Sequence, residues 1–309
     1  MTQPLFPARR WRGSLCADPA RLRRRVRQLC EEFFPRDFGH PENLESAAAY
    51  IREEFQRVSA AVADQVFSAG GGNYRNVIAS FGPKTEELIV VGAHYDTDGE
   101  LPGADDNASG VAGLLELAHL LCAVKLPLRV ELVAYALEEM PFFGSSEMGS
   151  AVHARALHAS GRRVRAMLCL EMIGCFSDER GSQQFPFPLL RLFYPGRGDF
   201  IAVVGNLRGP GVVRRVKLAM RRATDLPVRS INAPALVPGV DLSDHVNYWR
   251  LGYPAVMITD TAFYRNERYH TERDTPETLD YTRMAKVVQG VFEAVCDLAG
   301  HAPARAEGR

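Results

Sequence analysis

The sequence has 309 residues, of which 46% are hydrophobic and 24% are charged. These proportions are typical of a globular protein with a substantial core, and they exclude a mostly disordered chain. Lysine and arginine together number 37, as do aspartate and glutamate, so no excess charge favours nucleic acid or an anionic membrane as a partner.

The body of the chain alternates between short β-branched stretches and amphipathic stretches of helical period. Helices are predicted over 43–58, 109–122, 146–158, 212–224 and 282–298. Strands are predicted over 76–81, 87–93, 129–136, 166–171, 200–205 and 254–259. This alternation predicts a single α/β domain over 19–299, with a mostly parallel, mixed and twisted sheet that has helices on both faces.

The two ends of the sequence differ from this body. Residues 1–18 are predicted to form a flexible arm, and the small, charged residues of 300–309 a disordered tail. The Arg-rich start lacks the apolar core of a signal peptide, and no apolar run is long enough to cross a bilayer, so we expect a soluble, cytoplasmic protein. The six cysteines form no CxxC pair and are expected to be free thiols.

Potential metal ligands follow three of the predicted strands directly. They are His94, Asp96, Glu138, Glu139 and Glu171. In an open α/β sheet, ligands bind in the crevice beyond the carboxyl ends of the strands, so these side chains are expected to converge. Asp105 and Asp106, in a glycine-flanked loop, and His270, after the last strand, add to the set.

The chemistry of this set predicts a hydrolase that uses zinc. Imidazoles and carboxylates without a thiolate suit Zn²⁺. The carboxylates exceed the needs of one zinc, whereas two ions that share a bridging carboxylate use them all. Paired ions about 3.5–4 Å apart clamp a water, lower its pKa towards neutrality and polarise a carbonyl group.

Six segments of the sequence together resemble the zinc aminopeptidase family. They are VVGAHYDT, GADDNASGVA, YALEEMPFFGS, LEMIG, SDHVNYWRLGYPAV and YHTERDTPETLD, and they occur in the order found in the family. That family includes bacterial leucyl aminopeptidases, glutamate carboxypeptidase, glutaminyl cyclase and the transferrin receptor ectodomain. The resemblance covers roughly residues 40 to 298 and implies the zinc exopeptidase fold.

The resemblance also implies which residues bind metal. One ion would be bound by His94, Asp106 and Glu171. A second would be bound by Asp106, Glu139 and His270, so that Asp106 bridges the two. Asp106 is chosen over Asp105 because the ligand of the family lies three residues before the serine of the SG pair. In many members an aspartate stands at the position of Glu171.

Further roles follow from the same resemblance. Glu138 matches the general base, which would take a proton from the bridging water and return it to the leaving amine. Asp96 would hydrogen-bond His94 and fix its tautomer. Tyr269 resembles a tyrosine that stabilises the tetrahedral oxyanion in some members. The peptide bond between Asp106 and Asn107 is expected to be cis.

The sequence thus predicts a metallo-aminopeptidase with two Zn²⁺ ions per chain and a peptide as its substrate. The alternatives are a single-zinc glutaminyl cyclase, a carboxypeptidase and a receptor-like binding domain without catalysis. The loops 183–199 and 261–268 are expected to form the pocket walls, but the preferred side chain, the native metal and the oligomeric state stay open. His245 is either a support for a ligand or a loop histidine satisfied by its own surroundings.

Overall fold

A computed structural model describes residues 15–59 and 61–300 of the chain. The eight strands are β1 (Ala61–Ala69), β2 (Gly72–Phe81), β3 (Glu87–His94), β4 (Arg129–Tyr135), β5 (Arg163–Glu171), β6 (Ile201–Gly205), β7 (Val228–Asn232) and β8 (Ala255–Thr259). The seven α-helices of the described residues are α1 (Pro19–Glu31), α2 (Pro41–Gln56), α3 (Gly110–Leu121), α4 (Gly149–Ala159), α5 (Pro210–Ala223), α6 (His245–Arg250) and α7 (Tyr281–Ala299). None of these helices is long and apolar enough to cross a bilayer.

All eight strands form one mixed sheet in the order β1-β2-β4-β3-β5-β8-β6-β7. The central strands β4, β3, β5 and β8 are parallel to one another, and β2 pairs antiparallel with both β1 and β4. Strand β6 pairs antiparallel with β8 and parallel with β7. The chain leaves β3 for β4 on one side and then crosses to β5 on the other side. This reversal opens a crevice at the carboxyl ends of the central strands, where ligands bind in such sheets.

A hydrophobic core covers each face of the sheet. Helices α1, α2, α3, α5 and α7 contribute to the core on one face, and α4 and α6 to the core on the other. Strand β3 is buried on both faces, which explains its continuous apolar sequence. Gly92 within it leaves room for the ring of Tyr135, because a Cβ at this position would lie 2.2 Å from that ring. The predicted α/β fold is therefore confirmed.

Four elements were not predicted: α1, β1, β7 and α6. The many arginines of helix α1 conceal its apolar positions in the sequence. In the structure, Arg21 and Arg25 both donate to Glu116, which is fully buried in α3.

Most of the predicted arm, residues 1–14, and the tail after Gly300 lie outside the described residues. The domain boundaries at residues 19 and 299 therefore stay a prediction.

Candidate metal centre

Three of the predicted ligands meet at the carboxyl ends of β3 and β5. His94 and Glu171 are the last residues of these strands, and Asp106 lies at the kink of the segment Ala104–Ser109, where its own backbone is not helical. The Nε2 atom of His94 lies 3.4 Å from Asp106 Oδ1 and 3.4 Å from Glu171 Oε2. Ligand atoms that surround a tetrahedral zinc at roughly 2.0–2.1 Å are about 3.3 Å apart, so this spacing fits a zinc ion.

The other oxygen of Asp106 faces a second group of ligand atoms. Asp106 Oδ2 lies 3.1 Å from His270 Nε2, which is 3.6 Å from Glu139 Oε1. This Nε2 atom is buried and has no hydrogen-bond partner among the described residues. A metal ion would satisfy it. The two oxygens of Asp106 thus point at two different imidazoles, which is the arrangement that a bridging carboxylate requires.

Each histidine ring is oriented through its other nitrogen. His94 Nδ1 lies 3.2 Å from the backbone oxygen of Asp96 and 3.6 Å from its Oδ1. The carboxylate of Asp96 also accepts a hydrogen bond from the backbone N–H of Glu139 at 3.0 Å. His270 Nδ1 lies 2.9 Å from Asp98 Oδ2, a contact that the sequence did not predict. Such carboxylate partners fix the ring orientation of metal-binding histidines.

The longer side chain of Glu171 is held by a hydroxyl group. Ser243 donates to Glu171 Oε2 at 2.6 Å, and this is the same oxygen that faces His94. Ser243 is fully buried and also lies 3.1 Å from the thiol of Cys169. A glutamate in place of the more common aspartate therefore reaches the ligand position and is fixed there.

Asp105 and Asp106 have different roles although they are adjacent. The carboxylate of Asp105 is buried and accepts from the backbone N–H of Gly174 and from Asn266. The carboxylate of Asp274 accepts from the backbone N–H groups of both aspartates at 3.0–3.1 Å. The carboxylate of Asp105 therefore makes structural hydrogen bonds, whereas that of Asp106 faces the two histidines. The Asp106–Asn107 peptide bond is cis, as the resemblance implied.

Backbone strain marks three positions at the centre. Leu137, Met172 and His270 have positive φ values of 60°, 48° and 53°, which non-glycine residues rarely adopt. Leu137 precedes Glu138 and Met172 follows Glu171. Strain of this kind costs about 1–3 kcal/mol per residue and is concentrated at functional sites.

Glu138 lies beside the first group of ligands. It is 6% exposed, and its carboxylate, that of Glu139 and the ring of His94 have ligand atoms within 4.8 Å of one another. Burial raises the pKa of Glu138 well above its usual value, and the charge of Glu139 adds to this effect. Burial likewise raises the pKa of Glu139 to about 8. A carboxyl group in these surroundings is suited to exchanging a proton at neutral pH.

An apolar cavity opens next to Glu171 and Tyr269, which both line it. The ring of Tyr269 stacks on His270 with centroids 3.8 Å apart, and burial raises its pKa above the usual value. The cavity has a volume of about 120 Å³. An apolar cavity of about 150 Å³ is large enough for benzene, so this one suits a single side chain.

The walls of the cavity come from three loops. Residues of the predicted wall segments 183–199 and 261–268 line it, together with the segment 237–242, which was not predicted. Arg197, within the predicted wall segment 183–199, is exposed and does not line this cavity. His245 lies 2.8 Å from the backbone oxygen of Val240 through Nε2 and makes no contact with the ligands in the described residues. Its Nδ1 atom is buried without a hydrogen-bond partner among the described residues, so it is neither a support for a ligand nor a fully satisfied loop histidine. All six cysteines are free.

Comparison with known proteins points to one family. The family model described as Peptidase family M28 matches residues 76–295. The protein YfbL of Escherichia coli (strain K12) is 50% identical over 284 residues, which cover 89% of this chain and 87% of that protein. Leucine aminopeptidase 1 of Uncinocarpus reesii is 28% identical over 233 residues, or 70% of this chain. The chain spans only about half, 53%, of the length of that aminopeptidase.

Solved structures share the fold. A zinc aminopeptidase from Bacillus subtilis superposes with a TM-score of 0.73 and 16% identity, covering 96% of this chain and 98% of that one. The glutaminyl cyclase of Fimbriiglobus ruber has a TM-score of 0.70 and 22% identity, covering 94% of this chain and 98% of that one. At these identities the likeness extends to the architecture and leaves the reaction open.

Proposed function

This chain belongs to peptidase family M28, and from that premise we propose that it is a zinc-dependent aminopeptidase, which removes the first residue of a peptide. The relatives named leucine aminopeptidases support a peptidase reaction. The complete set of ligand side chains opposes a receptor-like domain without catalysis. A peptide partner and a cytoplasmic location are part of the same proposal.

The observation that carries the proposal is the pair of ligand sets that share Asp106 beside an apolar cavity. Among the described residues, the basic groups within 4.0 Å of the carboxylates of Asp106, Glu139 and Glu171 are imidazoles, without lysine or arginine. Two zinc ions would neutralise these carboxylates, so the charge of the ligands does not by itself select the substrate end. The choice of an aminopeptidase over a carboxypeptidase is supported by the relatives named leucine aminopeptidases.

Each part of the site has its own role in the proposed reaction. Two zinc ions, held by the two ligand sets that share Asp106, would supply an acidified water and polarise the carbonyl group of the substrate. Glu138 accepts a proton from the attacking water and transfers it to the leaving amine. The hydroxyl group of Tyr269, beside His270, donates to the developing oxyanion. The side chain of the first residue enters the apolar cavity.

A small set of substrates tests this proposal. Leucine 4-nitroanilide with a free amine should release nitroaniline, and its N-acetylated form should not, because acetylation removes the α-ammonium charge. A peptide with a blocked carboxyl terminus should be cleaved as well as its unblocked form. Equal cleavage of the acetylated substrate, or a requirement for a free carboxyl terminus, would contradict an aminopeptidase.

A second candidate is glutaminyl cyclase activity, which the fold similarity to the Fimbriiglobus ruber enzyme favours. In that reaction the amine of an N-terminal glutamine attacks its own side-chain amide and releases ammonia, and no peptide bond is cleaved. Mass spectrometry of a glutaminyl peptide separates the two outcomes. Loss of ammonia from an otherwise intact peptide indicates cyclisation, and a peptide shortened by one residue indicates the aminopeptidase.

A further inference from the structure

A row of four residues crosses the sheet beneath the cavity. Glu171 on β5 pairs with Thr259 on β8, Thr259 pairs with Ala202 on β6, and Ala202 pairs with Arg229 on β7. Residues directly opposite one another on neighbouring strands project from the same face of a sheet. All four line the cavity. The row therefore runs along the floor of the cavity from a metal ligand to an arginine.

The spacing of the strands gives the length of this floor. Neighbouring strands lie about 4.8 Å apart, so the Cα atoms of Glu171 and Arg229 are separated by roughly 14 Å. Between these two ends the lining is mostly apolar and includes Phe200, Val204 and Met257. A side chain that enters next to Glu171 thus crosses an apolar stretch before it meets Arg229.

Arg229 has no acidic partner among the described residues. No aspartate or glutamate of that part of the chain lies within 4.0 Å of its guanidinium group, and its Nε atom is buried without a hydrogen-bond partner. The other charged residue of the lining is Glu171, at the far end of the row. On the opposite side of β7, the buried ammonium group of Lys217 adds positive charge near the same end and donates to Ser230.

We propose that the cavity selects an N-terminal residue with a carboxylate at the end of its side chain, above all glutamate, and that Arg229 is the specificity-determining residue. This inference rests on the proposed aminopeptidase function. The methylene groups of a glutamyl side chain pack against the apolar walls, and its carboxylate accepts hydrogen bonds from the guanidinium group. Glutamine has the same shape but no charge, and aspartate is shorter by one methylene group and reaches less far.

The size of the preference follows from the surroundings of Arg229. A hydrogen bond between two charged groups is stronger than one between neutral groups, and apolar walls strengthen it further. Arg229 is only partly buried, so solvent screens part of the gain. We expect kcat/KM for a glutamyl substrate to exceed that for the glutaminyl substrate by about 10–100-fold.

The test measures kcat/KM for glutamyl, glutaminyl, aspartyl and leucyl 4-nitroanilides with the wild type and three variants. Arg229→Gln should abolish the preference for glutamate over glutamine and leave the leucyl substrate within about threefold of wild type. Arg229→Lys should keep most of the preference, because it keeps the charge. Arg208→Gln is the matched control, since Arg208 is exposed and does not line the cavity. It should change nothing.

The outcomes separate this inference from the proposed function. If the wild type cleaves the leucyl substrate but prefers glutamine to glutamate, or if Arg229→Gln keeps the preference for glutamate, the inference is wrong and the aminopeptidase stands. If no substrate is cleaved, the aminopeptidase is wrong, and calorimetric titration with free glutamate and glutamine decides the inference. Tighter binding of glutamate that Arg229→Gln abolishes supports it, and equal binding overturns it.

Discussion

The substitutions Glu138→Gln and Glu139→Gln separate a proton carrier from a metal ligand. Glutamine keeps the size of glutamate and much of its hydrogen bonding but cannot accept a proton. Glu138 is 6% exposed, so solvent has little access to replace it as the base. The loss of a general base costs about 10²–10⁴-fold in turnover, which corresponds to about 3–5 kcal/mol of transition-state stabilisation. Metal content should not change.

Glu139→Gln should act through the metal. Its Oε1 atom lies 3.6 Å from His270 Nε2, at the position of a shared ion. Loss of a hydrogen-bond partner of a metal ligand typically lowers the affinity for the metal by about 10–100-fold. Loss of the charge of a ligand itself should therefore lower the affinity for zinc at this site by at least about 100-fold. Excess zinc should then restore part of the activity of Glu139→Gln and none of the activity of Glu138→Gln.

The assay combines steady-state hydrolysis of leucine 4-nitroanilide with metal analysis after dialysis, at two concentrations of zinc. Glu293→Gln is the matched control, because Glu293 is a glutamate of similar burial, 7% exposed, on helix α7. It should retain both turnover and metal. Near-normal turnover of Glu138→Gln, or metal loss in that variant with both ions kept in Glu139→Gln, would refute the assignment of the pair.

Three further predictions concern the cavity, the metal and pH. Ala202→Phe should fill the floor of the cavity and lower kcat/KM for leucyl more than for alanyl 4-nitroanilide; an unchanged ratio would contradict the location of the side-chain pocket. Zinc at about 100 times its dissociation constant should raise the free energy of unfolding of the chelator-treated protein by about 2.7 kcal/mol in urea titrations, and no shift would argue against a native-state site. Burial lowers the pKa of His245 to about 4, so on acidification the unfolded chain is protonated at this histidine before the folded chain. The free energy of unfolding should therefore fall by about 3 kcal/mol as the pH drops from about 6.5 to 4. Urea unfolding of metal-free His245→Gln should show a shallower fall, and parallel curves would show that His245 does not carry the effect.

The central strands and the site could be predicted because their sequences carry a simple signal. A strand buried on both faces, such as β3, is continuously apolar, and a polar residue at its end stands out. The five ligand positions rest on the family resemblance, and the geometry brings them together without any contradiction. The metal content itself stays a prediction.

The missed features depend on contacts that no local pattern records. Strand β1 is an edge strand with mostly exposed or partly exposed residues, so it lacks an apolar face. Asp98 contacts the Nδ1 atom of His270, which is distant in sequence. Asp274 accepts a hydrogen bond from the backbone N–H of Asp106, which is equally distant. The cavity depends on the paths of three loops, which their composition does not determine.

The ligands of the metal centre come from segments that are far apart along the chain, from the end of β3 to the loop after β8. A growing polypeptide emerges from the ribosome with His94 long before His270, and amino-terminal parts begin to fold first. Until the last third has been synthesised and packed against the sheet, the second set of ligands lacks a member. An unfinished chain therefore cannot assemble both sets of ligands. The set of His94, Asp106 and Glu171 is complete earlier along the chain than the set that needs His270.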